Sequence, residues 1–181
     1  YHRQTNGTSF SRQGCAEKIY IEPDGKIGQA EITSCGLNDG PLIGEGSYPA
    51  YIACHITDPS TLSQIDYSNP ILTRQTRITS TPDGKRQYIT DIADGSMVGY
   101  KYFQCADEKA IRINIDGDFS GHVYVYTDKE RKQKAGEADI VCGGMTEAEI
   151  PVEIDDGIYA VYFYFTGKGK CNMTEFSFVR K

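Results

Sequence analysis

The side chains that could carry out catalysis are scattered along this sequence without a recognisable spacing. The histidines are His2, His55 and His122, and no serine lies in the Gly-x-Ser-x-Gly turn of a hydrolase. A His-Glu-x-x-His zinc motif and a phosphate-binding glycine loop are also absent from the sequence. The paired carboxylates Asp155 and Asp156 suit a solvated turn better than a glycosidase acid and base, because neighbouring strand residues point to opposite faces. The sequence therefore predicts no catalytic residues.

The six cysteines are too far apart to form a Cys-x-x-Cys pair. This spacing argues against a zinc site and against a redox motif. Cys35 and Cys54 flank one glycine-rich loop and are the first pair to consider for a disulfide, although small buried thiols would explain the cysteines equally well. The sequence therefore predicts no metal site.

Charge and hydropathy argue against two classes of partner. The formal charge is −6, from 19 Lys and Arg against 25 Asp and Glu, and no run of five or more basic residues occurs. Because nucleic acids and anionic membranes bind clustered cations, we expect neither as a partner. The apolar run from Ile158 to Phe165 is only as long as a strand, and Tyr1 to Gln4 do not form a secretion leader. We expect a soluble chain, with any secretion signal upstream of it.

Alternating apolar residues predict β-strands through the second half of the chain. The alternating sets are Ile111, Ile113 and Ile115, then Val123 and Val125, and then Val161, Phe163 and Phe165. A period of two gives each strand one face for a core. Turn signals such as Asp116-Gly117 and Asp156-Gly157 separate these sets, and no segment has a helical period. The predicted fold class is all-β, a β-sandwich of the jelly-roll or galactose-binding-like type.

The first part of the chain predicts an extension with a β-hairpin. Glu17 to Glu22 and Ile27 to Thr33 are typical of two strands joined by a Pro-Asp-Gly-Lys turn, and the same turn recurs at Pro82 to Lys85. Cys35 to Tyr48 is rich in glycine, which predicts a linker or a wrapping loop. The predicted division is a tail at 1–56, a linker at 57–71 and the sandwich at 72–181.

The tail resembles the end of a glycoside hydrolase family 43 catalytic domain and its exit loop. The stretches that carry this resemblance are YHRQTNGTSFSRQ and YPAYIACHI, with Tyr1-His2 and Arg12 similar to residues of the last propeller blade. In that family the catalytic carboxylates come from earlier blades. The resemblance implies the non-catalytic end of a secreted bacterial β-xylosidase or α-L-arabinofuranosidase, located outside the cell or on its surface, with the catalytic propeller as a partner in cis.

Residues Gln87 to Val179 resemble family 6 carbohydrate-binding modules. The stretches that carry the resemblance are YITDIADGSMVGYKYF, IRINIDGDFSGHVYVYTD and DDGIYAVYFYFTGKGKCNMTEFSF. In that family a sugar ring lies in a cleft at one end of the sandwich, against aromatic side chains and an Asn that precedes the last strand. The resemblance therefore implies binding of a plant cell-wall polysaccharide such as xylan or arabinoxylan.

Carried over to this sequence, the stacking aromatic falls on Tyr100, with Tyr102 beside it, and the amide falls on Asn172. An aromatic ring would cover the CH groups of a sugar and an amide would bind its hydroxyls. Met145 stands where the family usually has the tryptophan of a Gly-Gly-Trp loop. Thr174 stands where many members have an acidic calcium ligand, so the resemblance gives little support to a structural calcium, and no cofactor is expected.

Four tyrosines offer an alternative site on a sheet face. Tyr124, Tyr126, Tyr162 and Tyr164 alternate with core residues, so they should form a ladder on the opposite surface. The ladder could be a sugar platform or a set of cross-strand pairs. We favour the cleft, because it alone combines a stacking group with an amide. A second function also remains open: a degenerate sandwich that packs on and steadies the family 43 catalytic domain, which Met145 favours.

Overall fold

The computed structural model describes residues 2–4, 12–59 and 76–180. Within these ranges the regular secondary structure is nearly all β-strand, and no helix is long and apolar enough to cross a membrane. The elements are β1 (His2–Gln4), β2 (Arg12–Gly14), β3 (Leu42–Ile43), β4 (Gly46–Pro49), a 3₁₀ turn (Ala50–Ile52), β5 (His55–Thr57), β6 (Arg77–Ser80), β7 (Gln87–Ile92), β8 (Met97–Cys105), β9 (Glu108–Tyr126), β10 (Lys134–Gly143), β11 (Thr146–Pro151) and β12 (Gly157–Arg180). The all-β prediction is confirmed.

Two long strands, β9 and β12, fold one continuous sheet into two layers. In the first layer, the start of β12 pairs with the end of β9 and with β8, and β10, β5 and β3 extend the sheet. In the second layer, the end of β12 pairs with the start of β9, with β7 and with β4, and β11 and β6 lie outside them. Phe163 and Phe176 both belong to β12, yet their ring centroids are 5.8 Å apart. The layers therefore face each other as a β-sandwich.

The fold-back of β9 and β12 passes through a pair of glycines that lie opposite each other, Gly121 and Gly167. A Cβ atom on Gly121 would lie 2.0 Å from the carbonyl oxygen of Thr166. A Cβ on Gly167, whose φ is +151°, would lie 2.4 Å from the carbonyl oxygen of Ser120. Because the two backbones approach so closely, only glycine fits at these positions.

The core lies between the two layers and contains the residues that alternate in the sequence. Ile111, Ile113, Val123, Val125, Val161, Phe163 and Phe165 are all fully buried. Burying one such side chain stabilises the fold by about 1.5–3 kcal/mol. The alternation of apolar residues in the sequence therefore predicted the core correctly.

The sandwich begins earlier in the chain than the sequence predicted. The strands β3, β4 and β5 lie between Leu42 and Thr57, and they pair with β8 and β12. The predicted boundary assigned all of these residues except Thr57 to the tail, because short edge strands have too few residues to show a period. Residues 60–75, which include most of the predicted linker, lie outside the described residues, as do Tyr1 and the side chains of His2 and Arg12.

Gln13 Nε2 donates to Gln87 Oε1 of β7, in the second layer, at 3.0 Å. Residues 15–41, which follow, form an extension on the surface of the first layer, which we call the flap, and none of its residues is buried. The predicted hairpin is reduced to a turn closed by a single bridge between Ile21 and Ile27. The flap is attached to β8: the backbone N–H of Ser34 donates to the carbonyl of Lys101 at 2.5 Å, and the Lys101 ammonium lies 2.6 Å from the Glu31 carboxylate. The Tyr102 hydroxyl also donates to Glu31, at 3.0 Å.

The attachment of the flap should weaken in acid. The hydrogen bond from Lys101 lowers the pKa of Glu31 below its ordinary value of 4.5. Because the folded-state pKa is depressed, the contact stabilises the flap fully above pH 4.5 and is lost as the pH falls through the folded pKa. We expect the amide protection factors of Ser34 and Cys35, measured by hydrogen exchange, to fall below that pH. In Glu31→Gln these protection factors should already be low at neutral pH. If they instead fall on acidification by as much as in the wild type, the assignment to Glu31 is wrong.

Candidate functional site

A groove of about 610 Å³ crosses the outer face of the second layer. Its floor comes from β7, β12 and β9, and its walls come from the 3₁₀ turn, the β6–β7 turn and the β10–β11 loop. The residues that line it are Pro49, Tyr51, Thr81, Lys85, Arg86, Gln87, Tyr88, Asn114, Asp116, Met145, Asn172, Thr174 and Glu175. The groove therefore combines aromatic rings, amides and charged groups of both signs.

Strand alternation points the floor residues outward. Cys171 and Met173 are buried in the core, at 2% and 0% exposed, so Asn172 between them lies on the outer face. On the neighbouring strand β7, Ile89 is fully buried and Tyr88 is half-buried beside it. The same core packing that holds the sandwich together therefore places the Asn172 amide and the Tyr88 ring in one groove.

The amide of Asn172 is oriented by a neighbour on β7. The hydroxyl of Thr90 donates a hydrogen bond to Asn172 Oδ1 at 2.8 Å. Among the described residues, Asn172 Nδ2 makes no hydrogen bond, so this amide nitrogen remains able to donate to a ligand. On β9, Asn114 Nδ2 lies 3.5 Å from Glu175 Oε1. The floor thus offers both hydrogen-bond donors and acceptors.

The outer face of the first layer carries the tyrosine ladder. Tyr124 lies 6.3 Å from Tyr164 and 6.4 Å from Tyr126, measured between ring centroids, so these three tyrosines lie side by side on this face. The fourth member, Tyr162, is only 4% exposed, and its burial raises the pKa of its hydroxyl. The guanidinium of Arg131 lies 4.3 Å from the centroid of the Tyr164 ring, a cation–π contact. Arg131 therefore covers part of this face.

Among curated proteins, this chain is similar to part of a longer protein. A xylosidase/arabinosidase of Thermoclostridium stercorarium is 39% identical to this chain over 182 residues, which is 98% of this chain and 38% of the relative. The chain thus spans well under half the length of the curated protein that it matches. No family model matches the sequence.

Solved structures share the sandwich. A family 6 carbohydrate-binding module of Clostridium stercorarium in complex with cellobiose has a TM-score of 0.60 at 16% identity, and covers 78% of this chain and 98% of its own. A β-1,3-glucan-binding family 6 module of Bacillus halodurans has a TM-score of 0.57 at 21% identity, over 77% of this chain and 98% of its own. The fold is that of a family 6 module.

The same fold occurs within a larger enzyme. A family 43 arabinoxylan arabinofuranohydrolase of Bacillus subtilis, in complex with cellotetraose, has a TM-score of 0.59 at 19% identity and covers 91% of this chain and 33% of its own. The resemblance to family 6 modules is thereby confirmed for the fold. The resemblance to the end of a family 43 enzyme agrees with this structure and with the name of the curated relative.

The family 6 fold brings together two of the predicted site residues. Asn172 and Met145 both line the groove, where the Met145 side chain is 88% exposed. The sequence did not predict Tyr88, Tyr51, Asn114 and Asp116. The alternation of Tyr88 with Ile89 and Thr90 after the turn at Pro82 to Lys85 could have indicated Tyr88. Tyr51 lies in a 3₁₀ turn and has no such signal.

The structure places Tyr100 and Tyr102 elsewhere. Tyr100 is fully buried on the core face of β8, its ring is 4.4 Å from that of Phe176, and its hydroxyl donates to the Ala50 carbonyl at 2.9 Å. A buried ring has no free face for a sugar, so the cleft position predicted for Tyr100 is wrong. Tyr102 lies beside the flap on the other layer, because its hydroxyl is bound to Glu31.

The cysteines are free thiols in the structure, and Cys35 and Cys54 each donate to a carbonyl of β8, at 3.5 Å to Lys101 and 3.5 Å to Gly99. Burial raises the pKa of both Cys105 and Cys171 to about 12, so these two thiols stay protonated and unreactive at neutral pH. Within residues 2–4, 12–59 and 76–180, no group of three His, Cys, Asp or Glu side chains could hold a metal ion.

The core position of Tyr100 predicts a stability effect. Tyr100→Phe removes the hydrogen bond from the Tyr100 hydroxyl to the Ala50 carbonyl. This carbonyl still accepts a hydrogen bond from the N–H of Ala53. We expect the free energy of unfolding, measured with urea, to fall by about 1 kcal/mol. Tyr126→Phe, on the half-exposed ladder, should change it by less than about 0.5 kcal/mol. Equal stability of Tyr100→Phe and the wild type would contradict the core assignment.

Proposed function

We propose that this chain is a non-catalytic carbohydrate-binding module that binds xylan, arabinoxylan or a related plant polysaccharide in the groove. The observation that carries the proposal is the Asn172 amide, fixed by Thr90 and set beside the Tyr88 ring on the fold of a family 6 module. We further propose that the module is part of a secreted family 43 glycoside hydrolase whose catalytic domain lies elsewhere in the polypeptide.

The groove suits the chemistry of a sugar. A pyranose ring has an apolar face of CH groups, which packs on aromatic rings such as Tyr88 and Tyr51. Its hydroxyls need partners that donate and accept, and the Asn172 and Asn114 amides do both. Met145 is flexible and polarizable, so it can cover an apolar sugar face, although with less area than a tryptophan ring.

The charges around the groove support a neutral ligand. Lys85 and Arg86 lie on the wall formed by the β6–β7 turn, and Asp116 and Glu175 lie on β9 and β12. The two carboxylates would repel a uronate or a phosphate, and the Lys and the Arg would repel a cation. Hydroxyl groups can bind to both kinds of group, so a neutral polysaccharide fits this arrangement better than a charged ligand.

The groove is a better site than the tyrosine ladder. A stacked sugar needs an open ring face, but Arg131 covers Tyr164 and Tyr162 is almost fully buried. The ladder residues also pair with one another across β9 and β12, a role that stabilises the sheet without a ligand.

The polysaccharide class and the location of the module are inferred from its relatives. The curated relative is named a xylosidase/arabinosidase, and the Bacillus subtilis enzyme is an arabinoxylan arabinofuranohydrolase. Such substrates are polymers too large to enter a cell, so a module that holds an enzyme on them would act outside the cell or on its surface.

The proposal predicts that groove variants lose affinity while ladder variants do not. Tyr88→Ala should weaken binding of arabinoxylan oligosaccharides by about 1–3 kcal/mol, or roughly 5- to 150-fold in Kd, as for other buried contact aromatics. Asn172→Ala should also weaken binding. Tyr124→Ala is the matched control on the other layer and should leave Kd unchanged. Isothermal titration calorimetry measures the affinity, and thermal unfolding shows that each variant is folded.

Two outcomes would overturn the assignment. Loss of binding in Tyr124→Ala but not in Tyr88→Ala would place the site on the tyrosine ladder. Affinity electrophoresis would test the folded wild type against xylan, arabinoxylan, xyloglucan, β-glucan and pectin. If it binds none of them, the alternative function is favoured, a degenerate sandwich that steadies the catalytic domain. The replacement of the usual tryptophan by Met145 supports that alternative.

A further inference from the structure

Strand β7 contains one more residue than β12 along the stretch where the two strands pair beside the groove. Cys171 pairs with Ile92 and Met173 pairs with Ile89, so two steps along β12 correspond to three steps along β7. Ile89 and Ile92 are both fully buried. In a regular strand, residues three apart point to opposite faces, so β7 contains a β-bulge between these two isoleucines.

The bulge consists of Thr90 and Asp91, which together lie opposite Asn172. Both are half-buried between the two buried isoleucines, and the backbone of Asp91 has a φ of +58°. A residue other than glycine rarely adopts this left-handed conformation, and it persists only where the surrounding structure holds it. Bulges beside binding sites commonly change the direction of a side chain. We therefore looked for the contacts that hold Asp91 and for the side chain that the bulge directs.

Contacts from both neighbouring strands hold Asp91. On β6, Arg77 Nη1 donates to Asp91 Oδ2 at 2.6 Å, and on β12 the Lys170 ammonium lies 3.2 Å from Asp91 Oδ1. The Thr76 hydroxyl donates to the Asp91 carbonyl at 3.0 Å. The Asp91 side chain is only 23% exposed, so salt screens these ion pairs less than it screens pairs on the open surface. Asp91 thus ties the bulge to the strands on either side of it.

The side chain that the bulge directs is Thr90. Its hydroxyl lies 2.8 Å from Asn172 Oδ1 and 3.5 Å from Asp91 Oδ2. Because two cations already bind the Asp91 carboxylate, it competes weakly for the Thr90 proton, and the hydroxyl donates to Asn172. A side-chain amide can turn by 180° and exchange its oxygen for its nitrogen. Donation to Oδ1 selects the orientation in which Asn172 Nδ2 is available to a ligand.

We propose that Asp91 is a positioning residue for ligand binding in the groove. Asp91 does not line the groove. It acts by holding the bulge so that Thr90 presents its hydroxyl to Asn172. This proposal rests on the proposed function, because it concerns the same groove and a sugar ligand. An amide that is fixed before binding needs no ordering when the ligand arrives, and such preorganisation raises affinity.

The variant Asp91→Gly tests the proposal. Glycine adopts a positive φ without strain, so this variant should fold and lose only the contacts of the carboxylate with Arg77 and Lys170. We expect Kd for arabinoxylan oligosaccharides, measured by isothermal titration calorimetry, to rise roughly fivefold, the scale of one hydrogen bond. Asp91→Asn should restore most of the affinity, because asparagine also tolerates a positive φ and its amide oxygen can accept from Arg77.

Glu149→Ala is the matched control. The Glu149 carboxylate also binds an arginine, Arg112, at 2.7 Å, and it lies on β11 of the same layer. Glu149 does not line the groove. This variant removes the same charge as Asp91→Gly, and its Kd should equal that of the wild type.

Two measurements distinguish positioning from a general effect on the fold. In the background of Asn172→Ala, Asp91→Gly should cause no further loss of affinity, because the residue through which it acts is already gone. In the ligand-free protein, the NMR signals of the Asn172 side-chain amide should shift in Asp91→Gly and return to their wild-type positions in Asp91→Asn.

Each other outcome overturns the proposal. If Asp91→Gly binds as tightly as the wild type while Tyr88→Ala binds weakly, the groove is the site but Asp91 does not position it. An equal loss with and without the Asn172 side chain would mean that Asp91 acts on another part of the protein. If the folded wild type binds no oligosaccharide, the proposed function fails and this proposal fails with it. Should Asp91→Gly not fold, Lys170→Met removes one of the two cations instead, and an unchanged Kd in that variant would refute the role of Asp91.

Discussion

The close contact between the backbones of β9 and β12 at Gly121 and Gly167 is the constraint on which the structure depends. A side chain at either position would collide with a carbonyl oxygen of the facing strand. Because both strands turn there from one layer into the other, Phe163 and Phe176 of a single strand meet in the core. The same turn gives the two layers separate outer faces, with the groove on one and the tyrosine ladder and the flap on the other.

The sequence predicted the core because apolar residues alternate with polar ones along a strand that is buried on one face. Ile111, Ile113, Val123 and Val125 are buried as expected. The period does not show which outward residues from different strands will meet, and so Tyr88 was not grouped with Asn172 although strand pairing brings them together. Tyr100 shows the opposite error, since its position in a familiar motif suggested a cleft whereas its place beside Val98 on the inner face of β8 puts it in the core.

Short edge strands were missed for a different reason. The segment around Gly44 and Gly46 is too rich in glycine to show alternation, yet β3 and β4 take their stability from backbone hydrogen bonds to β8 and β12. Resemblance to known modules pointed to Asn172 and Met145, and both residues line the groove.

The continuity of β12 has a mechanical consequence. Asn172 lies in its second half, within the groove, and Ile158 lies near its start, beside the flap. A force applied between these two ends would stretch this strand along its length. Antiparallel neighbours flank β12 through most of that path, and their hydrogen bonds run perpendicular to the strand. Tension along β12 would therefore load many of these hydrogen bonds at once in shear.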